Sequence, residues 1–201
     1  MAPHTDDGEL GCAGTVARLI EEGNRIYQIA FSICEDSVPE GFPKEILGVE
    51  LRNATKILGI KSNDLFVKNY PVRKFNSFRQ EILEELVYIR KTINPDVIFM
   101  PSSLSLHQDH KIIYEEGIRA FKHHTCLGYD LPWDTIQFPT TAFFKLENRH
   151  VKTKWESIFE YKTQKFRTYV DEDFIFGLAR VRGAQIATEY AEAFELIRII
   201  F

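Results

Sequence analysis

Residues 78–110, FRQEILEELVYIRKTINPDVIFMPSSLSLHQDH, decide how this chain folds. Ile82, Leu83, Leu86, Val87, Ile89 and Ile93 recur with the period of an amphipathic helix, predicted over 78–93. Asn94-Pro95 stops that helix, because proline disfavours helical backbone in the residue before it. Asp96-Val97-Ile98-Phe99-Met100-Pro101 then reads as a strand with no polar interior residue. Such a strand is expected where helices cover both faces of a parallel sheet. His107-Gln108-Asp109-His110 follows it and opens a further helix over 109–121. Helix, buried strand, polar loop and helix together are the unit of an α/β layered fold.

The rest of the chain repeats this alternation. Residues 25–34 (RIYQIAFSIC), 65–72 and 140–146 read as strands, rich in β-branched and aromatic side chains. Residues 10–22, 44–58, 151–166 and 174–188 read as helices, and Tyr190 and Phe194 as a pair packed along a helix. The expected fold class is α/β: a Rossmann-like, mostly parallel sheet flanked by helices in three layers, as a single domain over 1–201. The pattern also calls for a strand ahead of His4, where Met1-Ala2-Pro3 alone stand. That first strand is expected to be cut short, leaving unpaired backbone groups and an apolar slot in the sheet.

Composition narrows the function classes. With 201 residues, 44% of them hydrophobic and 13% aromatic, the chain can bury a sizeable core. A formal charge of -4 and a pI near 5.9, with basic residues scattered, argue against a general nucleic-acid binder. No apolar run approaches the roughly 20 residues of a membrane span, and no secretory signal is visible. Cys12, Cys34 and Cys126 show no CxxC spacing and fit reduced thiols in a cytoplasmic protein.

The chemistry concentrates in two clusters. His4-Thr5-Asp6-Asp7 opens one helix and His107-Gln108-Asp109-His110 another, each where a strand hands over to a helix. In open α/β sheets that is the carboxyl edge, where ligands bind. Imidazole nitrogen and carboxylate oxygen are good first-row metal ligands. With His4, Asp7 and His110 as ligands, two imidazoles and one carboxylate leave an open position, as in a catalytic zinc site. The same set accommodates ferrous iron. One of the adjacent Asp6 and Asp7 can ligate while the other serves as general base. Protonated His107 suits an oxyanion or a leaving amine. Asp109 suits a hydrogen bond from one imidazole, fixing its tautomer.

At these residues the chain resembles the LmbE-like, or PIG-L, family of zinc-dependent N-acetylglucosaminyl deacetylases. The family's Ala-His-Pro-Asp-Asp-Glu segment is matched by Ala2-Pro3-His4-Thr5-Asp6-Asp7-Gly8-Glu9, and its His-Pro-Asp-His by His107-Gln108-Asp109-His110. Glu50, Ala54 and Leu58-Gly59, Tyr161-Lys162-Thr163-Gln164, and Arg182-Gly183 with Tyr190-Ala191-Glu192-Ala193-Phe194 extend the likeness over nearly the whole chain. Thr5 and Gln108 stand where the family has prolines, and Leu47 where it often has an arginine. The resemblance implies one zinc per chain on His4, Asp7 and His110, with Asp6 as general base. It implies that His107 stabilises the tetrahedral intermediate or acts as acid, with Asp109 supporting it. The implied reaction removes the N-acetyl group of an N-acetylglucosamine-type sugar or conjugate, using zinc-activated water.

Further candidates lie outside the motifs. Arg182 and Tyr190 are expected to contact a sugar hydroxyl, carbonyl or phosphate at the pocket mouth, and Trp133 to stack on a sugar face. His123-His124 fit favourable charge placement at a helix end, and His150 is expected at the surface. The expected partner is a small amino-sugar substrate, with no nucleic acid and no membrane span; a homo-oligomer is compatible with the sequence. The alternatives are a metal-dependent phosphoesterase and a non-catalytic sugar-binding relative.

Overall fold

A computed structural model describes all residues, 1–201. Helices α1 (Asp7–Glu21), α2 (Ile46–Leu58), α3 (Arg79–Ile93), α4 (Gln108–Ala120), α5 (Asn148–Ile158) and α6 (Glu172–Ala184) alternate with strands. The strands are β1 (Gln28–Ala30), β2 (Leu65–Val67), β3 (Val97–Pro101), β4 (Thr125–Tyr129), β5 (Ala142–Leu146) and β6 (Tyr190–Arg198). β1 pairs with β2, and the other strands form a sheet in the order β3-β4-β6-β5.

The alternation of side chains across the sheet makes three layers. Ile98, Met100 and Cys126 point to one face, where they join Ile82, Leu86, Ile112 and Ile113 of α3 and α4. Leu127 and Tyr129 point to the other, with Leu10, Val16, Val151 and Ile175 of α1, α5 and α6. The α/β three-layer class expected from residues 78–110 therefore holds. Close packing of α1 on the sheet depends on Gly11: a Cβ there would lie 2.4 Å from the Tyr129 ring.

Several elements differ from the sequence reading. Thr125–Tyr129 is a strand, and Tyr190–Arg198 is a strand rather than the end of a helix. Tyr190 and Phe194 still share a face, now as alternate positions of β6 packed in the core. β6 runs antiparallel to both β4 and β5, so this half of the sheet is antiparallel. β1 is shorter than 25–34: Ser32 donates its amide to Pro3, and Cys34 turns off in left-handed backbone at φ 54°. The fifth helix ends at Ile158, well before residue 166. His150 is buried, not at the surface. Its Nδ1 accepts the Glu147 amide at 3.0 Å and its Nε2 meets Glu21 at 2.8 Å, closing the start of α5. All three cysteines are buried and unpaired.

Between β1 and β3 the sheet is open. Ala2 makes a single parallel bridge to Ala30. Beside it lies an apolar cleft of about 430 Å³ whose walls include Ile29, Val97, Phe99 and Val16.

Glu9 is fully buried on α1, where its Oε1 accepts the Gln28 amide at 3.0 Å and its Oε2 has no partner. Burial pushes its carboxyl up to about 8. Between the unfolded value of about 4.3 and this one, the unfolded chain has released the proton and the folded chain keeps it. Stability therefore declines as pH rises through that window. Glu9→Gln removes the titration: the melting-point advantage of the variant over the parent should grow from pH 5 to pH 8. A difference that does not change with pH would contradict this.

Candidate metal centre

The two clusters converge. The parallel bridge at Ala2 carries the chain toward the carboxyl edge, where residues 4–6 turn into α1. Residues 102–107 perform the same handover from β3 to α4. Each cluster thus sits at a helix N-terminus, where backbone dipoles favour negative charge.

His4 Nδ1 lies 3.1 Å from Asp7 Oδ2, His110 Nε2 lies 3.2 Å from the same oxygen, and the two nitrogens are 3.3 Å apart. Tetrahedral zinc with bonds of about 2.0–2.1 Å holds its donors about 3.3–3.4 Å apart. Two imidazoles and a carboxylate at this spacing fit one divalent ion with a coordination position left open. His107 also brings a ring nitrogen within 4.8 Å of His4 and His110. Asp7 is the nearer third donor, so the residues that fit an ion are His4, Asp7 and His110.

Each imidazole of the triangle is held from behind. His4 turns Nε2 to Asp109 Oδ2 at 3.1 Å. Asp109 is fixed in turn by the backbone amides of Arg73 (2.5 Å) and Phe75 (3.2 Å). His110 turns Nδ1 to Asp134 Oδ2 at 2.9 Å and to Ser105 Oγ at 3.1 Å. The two rings thus present opposite nitrogens to one corner. Asp109 supports His4 rather than His107, unlike the arrangement the resemblance implies. Toward His107 it offers its backbone amide, 3.1 Å from Nδ1.

Electrostatics separates the two aspartates. Burial resists ionisation of Asp7, but the charges of His110 and His4 and their hydrogen bonds hold it well below the usual carboxylate range. Burial and the neighbouring Asp7 charge push Asp6 up to about 6. Asp6 occupies the N-cap position of α1 without a side-chain capping bond, so its carboxyl is free for other work. Burial opposes a charge on His4 and His110, yet Asp7 and their carboxylate partners raise them to about 9 and about 10. Burial, then the charges of those two rings, lowers His107. A neutral His107 whose Nδ1 accepts a bond carries its proton on Nε2.

The outlying candidates fare differently. Arg182 pairs with Asp130 at 2.5 Å, and Tyr190 is buried edge-on to Phe176; neither contacts the triangle. Both are tied into structure because their elements pack there, which corrects the expectation of free groups at the mouth. Trp133 stacks flat on Tyr169 at 3.7 Å and keeps 41% of its surface exposed. Arg167 donates to the Tyr169 hydroxyl at 2.6 Å, and its charge is felt at Asp6. The weaker echoes brace the site: Tyr161 donates to the Thr5 carbonyl at 2.6 Å, and Glu50 accepts from the Thr163 amide at 3.0 Å and its hydroxyl at 2.6 Å. Sequence reasoning missed Asp134, Ser105, Tyr169 and Arg167. Asp134 stood in plain view beside Trp133, but no spacing ties it to His110.

A family model described as PIG-L, GlcNAc-PI de-N-acetylase, matches residues 1–121. A protein of Escherichia coli (strain K12) described as uncharacterized deacetylase YaiS is 24% identical over 169 residues, 81% of this chain and 89% of that one. The crystal structure of conserved protein TT1542 from Thermus thermophilus superimposes with a TM-score of 0.83 at 22% identity, covering 100% of this chain and 94% of that one. N,N'-diacetylchitobiose deacetylase from Pyrococcus horikoshii gives 0.78 at 18% identity, covering 96% and 80%. At these identities the structural matches bear on the fold.

Proposed function

Because the chain belongs to the PIG-L, or LmbE-like, deacetylase family, we propose that it is a zinc-dependent hydrolase removing the N-acetyl group of an amino sugar or its conjugate, with residues 1–201 working as one domain. The observation that carries this reading is the triangle of His4, Asp7 and His110, closed to 3.1–3.3 Å beside an uncommitted Asp6. When bound, zinc supplies Lewis-acid polarisation of the amide carbonyl and acidifies water. Ferrous iron suits the same donors.

Asp6 is the general base: its carboxylate takes the proton of the attacking water. Its value of about 6 keeps it ionised at neutral pH yet basic enough to accept. His107 points the Nε2 proton of its neutral ring, fitting a hydrogen bond to the developing oxyanion. The proton that Asp6 takes from water is the one handed to the departing amine as the C–N bond breaks. Asp109 holds His4 in register. The stacked Trp133 and Tyr169 form an aromatic face suited to a sugar ring. No helix is long and apolar enough to cross a membrane.

The test is acetate release from a panel of N-acetylglucosamine conjugates. Release should stop on chelation and return on adding zinc or ferrous ion. Release that persists in excess chelator would refute the metal-dependent reading.

A further inference from the structure

The geometry points to Asp134 as a positioning residue that sets which nitrogen His110 offers to the metal corner and how strongly it binds there. This assignment rests on the metal-dependent reading above. Asp134 Oδ2 lies 2.9 Å from His110 Nδ1, on the side of the ring opposite Nε2, which faces Asp7 and His4. A carboxylate at Nδ1 keeps the proton there and leaves the Nε2 lone pair for an ion. It also makes the imidazole a stronger donor.

The carboxylate is held in place by its surroundings. The Asp134 amide donates to the Leu131 carbonyl at 2.8 Å, and the Leu106 amide donates to the Asp134 carbonyl at 2.8 Å. Ser105 Oγ donates to the same carboxylate oxygen. The loop after β4 is thereby locked to the loop after β3, which fixes the backbone that carries the carboxylate beside His110. His110 is buried and the Asp134 side chain is 14% exposed, so water competes poorly for Nδ1. His4 has the equivalent support from Asp109. The corner is thus built from two imidazoles, each backed by its own carboxylate and offering opposite nitrogens.

The test compares Asp134→Asn, Asp134→Ala and Ser105→Ala with the parent chain. Zinc affinity is measured by competition with a chromophoric chelator, and the cobalt(II)-loaded proteins by visible absorption. Both Asp134 variants should bind zinc about 10–100-fold more weakly, the range for loss of such a partner. Their cobalt bands should shift. Ser105→Ala removes one bond to the carboxylate but keeps the carboxylate beside Nδ1, and should lose less zinc affinity than either Asp134 variant. Asn has the shape of Asp and carries the test if Ala does not fold. Asp134 variants that match the parent within twofold, with unchanged cobalt spectra, would overturn the assignment, as would an equal loss in Ser105→Ala. A parent chain that binds no metal would sink the metal-dependent reading as well, which tells the two failures apart.

Discussion

Asp6→Asn should lower kcat by about 10²–10⁴-fold, the usual contribution of a positioned general base. The substitution keeps size and shape and removes the basic oxygen. Asp6 makes no capping bond to α1 and is not one of the three donors of the triangle, so metal content and fold should be unaffected. KM should change little, because the lost interaction belongs to the transition state. On this proposal the same carboxyl should set the acid side of the pH profile. A base works when ionised, so kcat/KM should fall tenfold per unit as pH drops through the value of Asp6. That value is about 6 in the chain alone, and a bound cation moves it lower. Steady-state rates of acetate release for parent and variant between pH 4.5 and 8.5 provide the check. A variant with more than a tenth of parental kcat would remove Asp6 from the mechanism.

The second large effect is on stability. Lys154 on α5 is buried and donates from Nζ to the Leu10 carbonyl at 2.7 Å and to Glu192 Oε1 at 2.6 Å. Glu192 on β6 also accepts the amides of Gly14 and Thr15 at 3.1 and 2.6 Å. The pair thus ties α1, whose first turn carries Asp7, to α5 and the sheet. Lys154→Met removes one charge and leaves the Glu192 carboxylate buried without its partner. Breaking a buried pair from one side costs about 3–5 kcal/mol. For a chain of this size that is a fall in melting temperature of roughly 10 °C. Urea unfolding should show the loss directly; a change under about 1 kcal/mol would mean that water reaches the pair.

Much of this was legible in the sequence because the deciding signals are local. The period of 78–93, the Asn94-Pro95 stop and the apolar 97–100 run need no partner to be read. The same holds for the two clusters: His4, Asp6 and Asp7, and likewise His107, Asp109 and His110, are near neighbours in the chain. What stayed hidden depends on tertiary pairing. β6 reads as helical through Tyr190 and Phe194, and becomes a strand because β4 and β5 claim its backbone on either side. β4 is short and carries Gly128, whose lack of a side chain admits Ser102 and Glu195 but weakens the strand signal. Asp134 and the Lys154–Glu192 pair join residues far apart in sequence with no spacing to betray them. His150 looked like one more exposed histidine until Glu147 and Glu21 closed around it.

The most direct measurement is the metal content of purified protein, by mass spectrometry, across four chains. The parent and Asp6→Asn should each hold one zinc per chain after loading and desalting, while Asp7→Ala and His110→Ala should hold almost none. A parent chain without zinc, or one equivalent retained by both Asp7→Ala and His110→Ala, would contradict a metal centre built on His4, Asp7 and His110.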